Sequence, residues 1–383
     1  SGTVNSGRSV SVAYRGRSLQ PRKVYYWRVK AITGNSEESD WSDIKSFRTG
    51  DELKPYQSSS EVLVKSVEHP VLCSTRDDNW FFDFGKASFG QLLVRLTSET
   101  GNDTVIVNLG EKVRDGRVDS RPGGTIRYQS YSLALLKGTH LYRIKVHKDK
   151  RNTLEVAVKM PAYIGEVVPF RYAEVLHYGN KLDKEDVIRE SVHYPFDDST
   201  SFFRCDNDTL NQIWEMSKYT MKATSFTGVY VDGDRERIPY EADILINQLS
   251  HYSVDREYSI ARKSLEYILK KPTWPTEWIL QAILIAWYDY MYTGDARSLE
   301  KNYPLLKNRS LMQLKTSKGL ISTTTGLQTS AFLQSINFNK PIQDIVDWPG
   351  EERDGFVFCD HNAVVNAFYY EALKIMEQIA RVL

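Results

Sequence analysis

The chain has 383 residues, too many for one ordinary domain and enough for two or three. Its 50 Lys and Arg offset 49 Asp and Glu, so nucleic acid and anionic membrane surfaces, which reward a basic excess, are disfavoured as main partners. Cys73, Cys205 and Cys359 lie far apart with no Cys-x-x-Cys, and no His-Glu-x-x-His occurs, so neither a disulfide framework nor a zinc site is expected, and no cofactor is implied. The longest apolar run, Ile279 to Tyr292, is broken by Gln281 and Asp289 and suits a buried helix, so no membrane insertion is expected; no signal peptide is visible.

In chain order, Val24–Ala31 mixes β-branched and aromatic residues and predicts a strand. Gly34-Asn35-Ser36 marks a turn, and Trp41-Ser42 leads to a short strand around Phe47. The Tyr25-x-Trp27-x-Val29 run followed by Trp41-Ser42 resembles the last strands of a fibronectin type III module, so residues 1–50 are expected to be part of one. Strand signals continue to about Thr200. Trp80–Phe84 is closed by Gly85, and Leu92, Val94 and Leu96 share one face of the next strand. Val105, Val107 and Leu109 form another inward face, and Thr139–Ile144 a further strand. Short strands with frequent turns predict a β-sandwich over residues 51–200.

The period then becomes helical over residues 201–383. Asp206 or Asp208 is expected to cap a helix carrying Leu210, Ile213, Trp214 and Met221. Pro239 suits the first turn of the next, with Leu245, Leu249 and Tyr252 on one face. Asp255 is expected to cap a third, with Tyr258, Ala261, Leu265 and Ile268 on its face. Trp274–Tyr292 is apolar nearly all round and should be covered on most sides, with Gly294 ending it and Asp295 capping the helix that follows. The last helix carries Val365, Phe368, Ala372, Ile375 and Ile379. Roughly six helices joined by short links predict a helical array or part of a helical barrel. Residues 318–358 are irregular, and a long irregular segment in a compact domain is often functional.

The densest chemistry lies in Val231–Asp243, where five carboxylates and two arginines sit beside apolar flanks. A charged surface turn would account for such a run. A site for acid/base work on a polar ligand would also account for it, because Glu236 precedes a helix start and Asp243 lies in its first turn, near the positive end of the helix dipole. Arg235 and Arg237 flank Glu236 and would favour its ionised form if paired with it, whereas Asp232, Asp234 and Asp243 oppose that form.

Arg235-Glu236-Arg237, with Tyr240 four residues after the Glu and Asp243 seven after it, resembles the signature of the family 78 glycoside hydrolases, the bacterial α-L-rhamnosidases. Asp232-Gly-Asp-Arg-Glu-Arg-Ile-Pro-Tyr-Glu-Ala-Asp243 is similar to a Bacteroides-type branch of it. The family's first Asp aligns with Val231, and Asp232 stands one place later. Trp278 and Trp287, followed by Tyr292-Thr-Gly-Asp295, resemble a second family run whose Gly-Asp is replaced here by Ile279-Leu280; Val346-Asp347-Trp348 resembles a third. For Trp278 and Trp287, core packing is an equal reading. The resemblance implies β-sandwich modules followed by an all-α (α/α)6 barrel, incomplete in this chain. It also implies an inverting glycosidase that releases terminal α-L-rhamnose. Glu236 would be its general acid, and Asp232, Arg235, Tyr240, Asp243, Trp278, Asp347 and Trp348 its sugar contacts. It further implies a rhamnose-containing carbohydrate as substrate, a periplasmic or extracellular place, and a general base in the later half of the barrel, expected beyond Leu383. Another inverting (α/α)6 glycosidase and a non-catalytic carbohydrate-binding protein are the alternatives.

Overall fold

The computed structural model describes residues 2–4, 14, 16–50, 58–59 and 61–383. The boundary expected at residue 51 lies outside them. In the first segment, β1 (Val24–Trp27) and β2 (Lys45–Arg48) pair antiparallel, with Tyr25 stacked on Phe47 at 5.6 Å. The first strand is shorter than its apolar run predicts. Tyr26 and Trp27 stay exposed, and Arg28 lies over the Trp41 ring instead.

The next segment holds β3 (Val64–Glu68), β4 (Leu72–Arg76), β5 (Asn79–Ser98), β6 (Thr104–Gly110), β7 (Val113–Arg114), β8 (Arg117–Val118), β9 (Tyr128–Ala134), β10 (Gly138–Arg143), β11 (Val168–Leu176) and β12 (Val187–His193). Strand β5 runs through Gly85, where the sequence predicts two strands. Gly85 takes a positive φ of 78°, donates its N–H to Asp83 Oδ1 at 2.6 Å, and lets residues 84–87 bulge opposite Arg171. Arg171 closes the bulge with two 2.8 Å bonds to the Asp83 carboxylate. Before the bulge β5 pairs with β4 and β11; beyond it, mainly with β10 and β12. One strand thereby feeds two leaves, β4-β5-β11-β6-β9 and β10-β5-β12-β3. Leu92, Val94, Leu96, Val105, Val107 and Leu109 point into their shared core, as their alternation predicts.

The helical half contains α1 (Asp208–Thr224), α2 (Glu241–Tyr252), α3 (Ser259–Lys270), α4 (Thr276–Thr293), α5 (Arg297–Arg309), α6 (Ser330–Ser335) and α7 (Ala363–Val382). Helix α4 is covered by α2, α3, α5 and α7, which is why it tolerates an apolar surface all round. Gly294 ends it in the left-handed conformation at φ 63°.

Several local expectations need correction. Asn207 caps α1, its side chain accepting from the N–H groups of Thr209 and Leu210, because it rather than Asp206 or Asp208 precedes the first helical residue. The stripe expected to be covered on α1 is open: Leu210 and Ile213 are exposed, and the buried residue is Lys218, whose ammonium donates to the carbonyls of Asp198 and Ser201. On α2 the covered face is Glu241, Ile244, Gln248, His251 and Tyr252, rotated from the Leu245–Leu249 line. Its polar members are partnered in part: Gln248 donates to Ile285 O at 2.9 Å, and Tyr230 Oη lies 2.6 Å from His251 Nδ1, while Gln248 Oε1 is buried with no hydrogen bond among the described residues. At α3, Glu257 takes the first N–H groups; Asp255 faces His251 instead.

The two halves share a core. Leu63, Ile164, Val167, Val192 and Tyr194 from the sheet side join Phe226, Val229, Ile244 and the α3 and α4 interiors in one cluster. Phe89 at the β5 bend stacks on Phe226 with centroids 3.7 Å apart.

Candidate active site

The Asp232–Asp243 loop starts as a pinched turn. Asp232 N–H donates to Ile238 O at 2.9 Å, and Ile238 N–H donates to Asp232 Oδ1 at 2.9 Å. Arg237 N–H reaches Gly233 O at 3.1 Å, and Arg237 itself sits at a positive φ of 56°. Pro239 precedes the Tyr240 cap and so stands just outside α2 rather than in its first turn; Asp243 falls in that turn. This geometry gathers Asp232, Glu236, Tyr240 and Asp243.

Glu236 is half-buried, its side chain 30% exposed. Tyr240 Oη donates to its Oε2 at 3.2 Å, and Arg235 Nη2 lies 2.6 Å from its Oε1. Of the two arginines, Arg235 pairs with Glu236 and Arg237 turns away. Burial pushes the Asp232 carboxyl up to about 6, aided by the charges of Glu236 and Asp243 and opposed by the Ile238 N–H. Burial also raises Asp243, with Glu236 adding to it, and burial and Glu236 raise the Tyr240 phenol. Trp278, at the start of α4, meets Tyr240 edge to face at 5.3 Å, which brings it to the same group.

Asp347 and Trp348 are exposed, and they make no hydrogen bond or ring contact with this group among the described residues. Their loop is nonetheless anchored nearby. Glu277, 1% exposed and next to Trp278, accepts the N–H groups of Ile345 and Val346. Sequence reasoning gave Glu277 no role, and the hint was a carboxylate at the head of an apolar helix, just before Trp278.

It also missed what holds Asp234 and Arg237. Arg237 is 1% exposed and lies over the Phe226 ring. Its guanidinium donates to Asp234 Oδ1 at 2.8 Å, to Glu166 Oε1 at 2.8 Å and to Val167 O at 3.2 Å. The last two partners lie roughly seventy residues upstream in the sheet half, and no spacing in the chain announces them.

Two clefts stand out. One of about 680 Å³ lies between Lys86, Ala87 and α1, the other of about 600 Å³ between the Phe196–Thr200 stretch and Asp255–Glu257. Neither includes Glu236, which sits in an open, half-buried carboxylate cluster. Among the described residues no group of three or more His, Cys, Asp or Glu is arranged to hold a metal ion. No helix among them is long and apolar enough to cross a membrane.

Asp232 gives a pH-dependent expectation. Its folded value, about 6, lies above the unfolded value near 3.9, so its contribution to stability is full below about pH 4 and lost as pH rises through about 6. Asp232→Asn keeps an oxygen for the Ile238 N–H and removes the buried charge. The variant is therefore expected to have a higher urea midpoint than wild type at pH 8 and no gain at pH 4. An equal gain at both values would rule out a titrating carboxylate as the cause.

Residues 198–383 match the bacterial alpha-L-rhamnosidase 6 hairpin glycosidase domain, and residues 1–51 match a Rha78A-like N-terminal immunoglobulin domain. The segment whose strands resemble fibronectin type III is thus matched as an immunoglobulin domain. An alpha-L-rhamnosidase of Formosa agariphila is 22% identical over 381 residues, covering 91% of this chain and 36% of that protein. The alpha-L-rhamnosidase of Dictyoglumus thermophilum superposes with a TM-score of 0.60 at 16% identity, over 89% of this chain and 36% of that one. The family GH78 rhamnosidase of Bacillus sp. GL1 does so with 0.57 at 17%, over 91% and 33%. At these identities the solved structures establish a common fold, sheet modules followed by an (α/α)6 barrel region, and the chain spans about a third of the length of its relatives. Residues 198–383 thus belong to the bacterial α-L-rhamnosidase six-hairpin glycosidase domain family, with a Rha78A-like immunoglobulin match before them and a fold shared with solved rhamnosidases along the chain.

Proposed function

We propose that the intact protein removes terminal α-L-rhamnose from glycans or glycosides by an inverting mechanism, with Glu236 as the general acid. The observation that carries this is the cluster itself. A half-buried carboxyl is bonded to Tyr240 Oη and stands beside two carboxyls, Asp232 and Asp243, that burial makes reluctant to ionise. Glu236 would give its proton to the glycosidic oxygen as the bond to the anomeric carbon breaks, while a second carboxylate activates water on the opposite face of the ring, about 6.5–9.5 Å away. No described residue is assigned to that second role. Asp232 and Asp243 offer acceptors to sugar hydroxyls, Arg235 donors, and Tyr240 and Trp278 an aromatic wall that suits the apolar face of a deoxy sugar. Asp347 and Trp348 would approach from the loop that Glu277 fastens. Export to the periplasm or cell exterior, where such glycans are met, belongs to the same proposal.

The test is a panel of aryl glycosides with the intact protein, the anomer formed being followed by NMR. Release of β-L-rhamnose from the α-L-rhamnoside supports the reading. Turnover of a different sugar instead would make the protein another glycosidase, and binding of the sugar without turnover would make it a lectin-like module.

A further inference from the structure

Glu236 sits between two residues that are fastened to the sheet half. Asp234, two positions before it, has a side chain only 9% exposed and fully engaged. Its Oδ2 accepts from Arg127 Nε at 2.5 Å, and its Oδ1 from Arg237 at 2.8 Å and from Asn152 Nδ2 at 3.1 Å. Its carbonyl accepts from Arg127 Nη2 at 2.8 Å and from Asn152 Nδ2 at 3.0 Å. On the other side of Glu236, the carbonyl of Arg237 accepts the Val158 N–H at 2.9 Å. Arg127 precedes β9, and its side chain is 4% exposed. It is steadied in turn by Asp149, and its own N–H donates to Glu111 Oε2 at 2.6 Å.

We propose that Arg127 and Asn152, both from the sheet half, are positioning residues that set where the Glu236 carboxyl stands relative to the scissile oxygen. The proposal rests on the reading of Glu236 as the acid. A carbonyl held by two donors and a carboxylate held by three cannot drift without breaking several charge-assisted bonds together, and Glu236 is two residues away on the same loop. A proton donor misplaced by about 1 Å loses on the order of a hundredfold in rate. The loss is selective: a leaving group that departs readily as an anion needs no proton, whereas a poor one does.

The experiment compares 2,4-dinitrophenyl and phenyl α-L-rhamnosides with the intact protein, its Glu236→Gln variant, Arg127→Met and Asn152→Ala. Glu236→Gln calibrates the effect and should spare the dinitrophenyl substrate. Arg127→Met is expected to lower kcat/KM on the phenyl substrate about a hundredfold and on the dinitrophenyl substrate less than about threefold. Asn152→Ala should do the same more weakly, and it decides between the outcomes if Arg127→Met does not fold. Equal losses on both substrates would make these residues structural only and overturn the proposal, as would no loss on either. If Glu236→Gln itself draws no distinction between the substrates, it is the reading of Glu236 that fails, and the positioning proposal with it.

Discussion

Glutamine at position 236 is expected to lower kcat on phenyl α-L-rhamnoside by about 10²–10⁴-fold in the intact protein, the usual contribution of a positioned general acid. The substitution keeps the size of the side chain. Its amide oxygen retains the contact with Arg235, and its amide nitrogen faces Tyr240 Oη, which accepts as readily as it donates. Only the transferable proton is lost. KM should therefore stay within a few-fold of wild type, because an interaction made only in the transition state acts on kcat and kcat/KM together. A Glu236→Gln enzyme as fast as its parent would sink the assignment, whatever the sugar.

Arg237→Met is expected to destabilise the protein by about 3–5 kcal/mol, the cost of breaking a buried ion pair by removing one member. Methionine preserves much of the packing over Phe226, which isolates the electrostatic loss. The change leaves Glu166 without its guanidinium, and it strips Val167 O and one oxygen of Asp234 of an arginine donor. Arg237 also holds a left-handed backbone conformation, which costs about 1–3 kcal/mol and persists only where the surroundings fix it. Freed from its bonds, the loop would relax and carry Glu236 with it. Urea denaturation of the intact protein measures the effect, and a loss under about 1 kcal/mol would mean that the network is weaker than its geometry implies.

How much of the site is legible in the chain follows from range. Asp232, Glu236, Tyr240 and Asp243 lie within one turn and one helix start, so chain connectivity alone brings them together. Trp278 could be placed there only through its likeness to a family motif. The same likeness put Asp347 and Trp348 there too, whereas in the structure they make no hydrogen bond or ring contact with this group among the described residues, because their loop is located by a distant bond to Glu277. Periodicity told which residues of α1 and α2 share a face, but which face is covered depends on what packs there. The open Leu210–Ile213 side and the polar, buried side of α2 are the result. Gly85 reads as a stop because glycine usually breaks strands; here its positive φ bends one strand instead. The Arg127–Asp234–Arg237 assembly joins residues about a hundred positions apart, and nothing local encodes it.

The stacking of Phe89 on Phe226, and the aliphatic residues that surround it, reach past chemistry into heredity. A cut near residue 200 would leave each piece with a raw apolar wound and would detach Glu236 from its struts. Recombination that traded the sandwich for an unrelated one would inherit a helical half with a wandering acid. These two halves are therefore expected to be passed on, lost and redesigned as one unit, however separable they look along the chain.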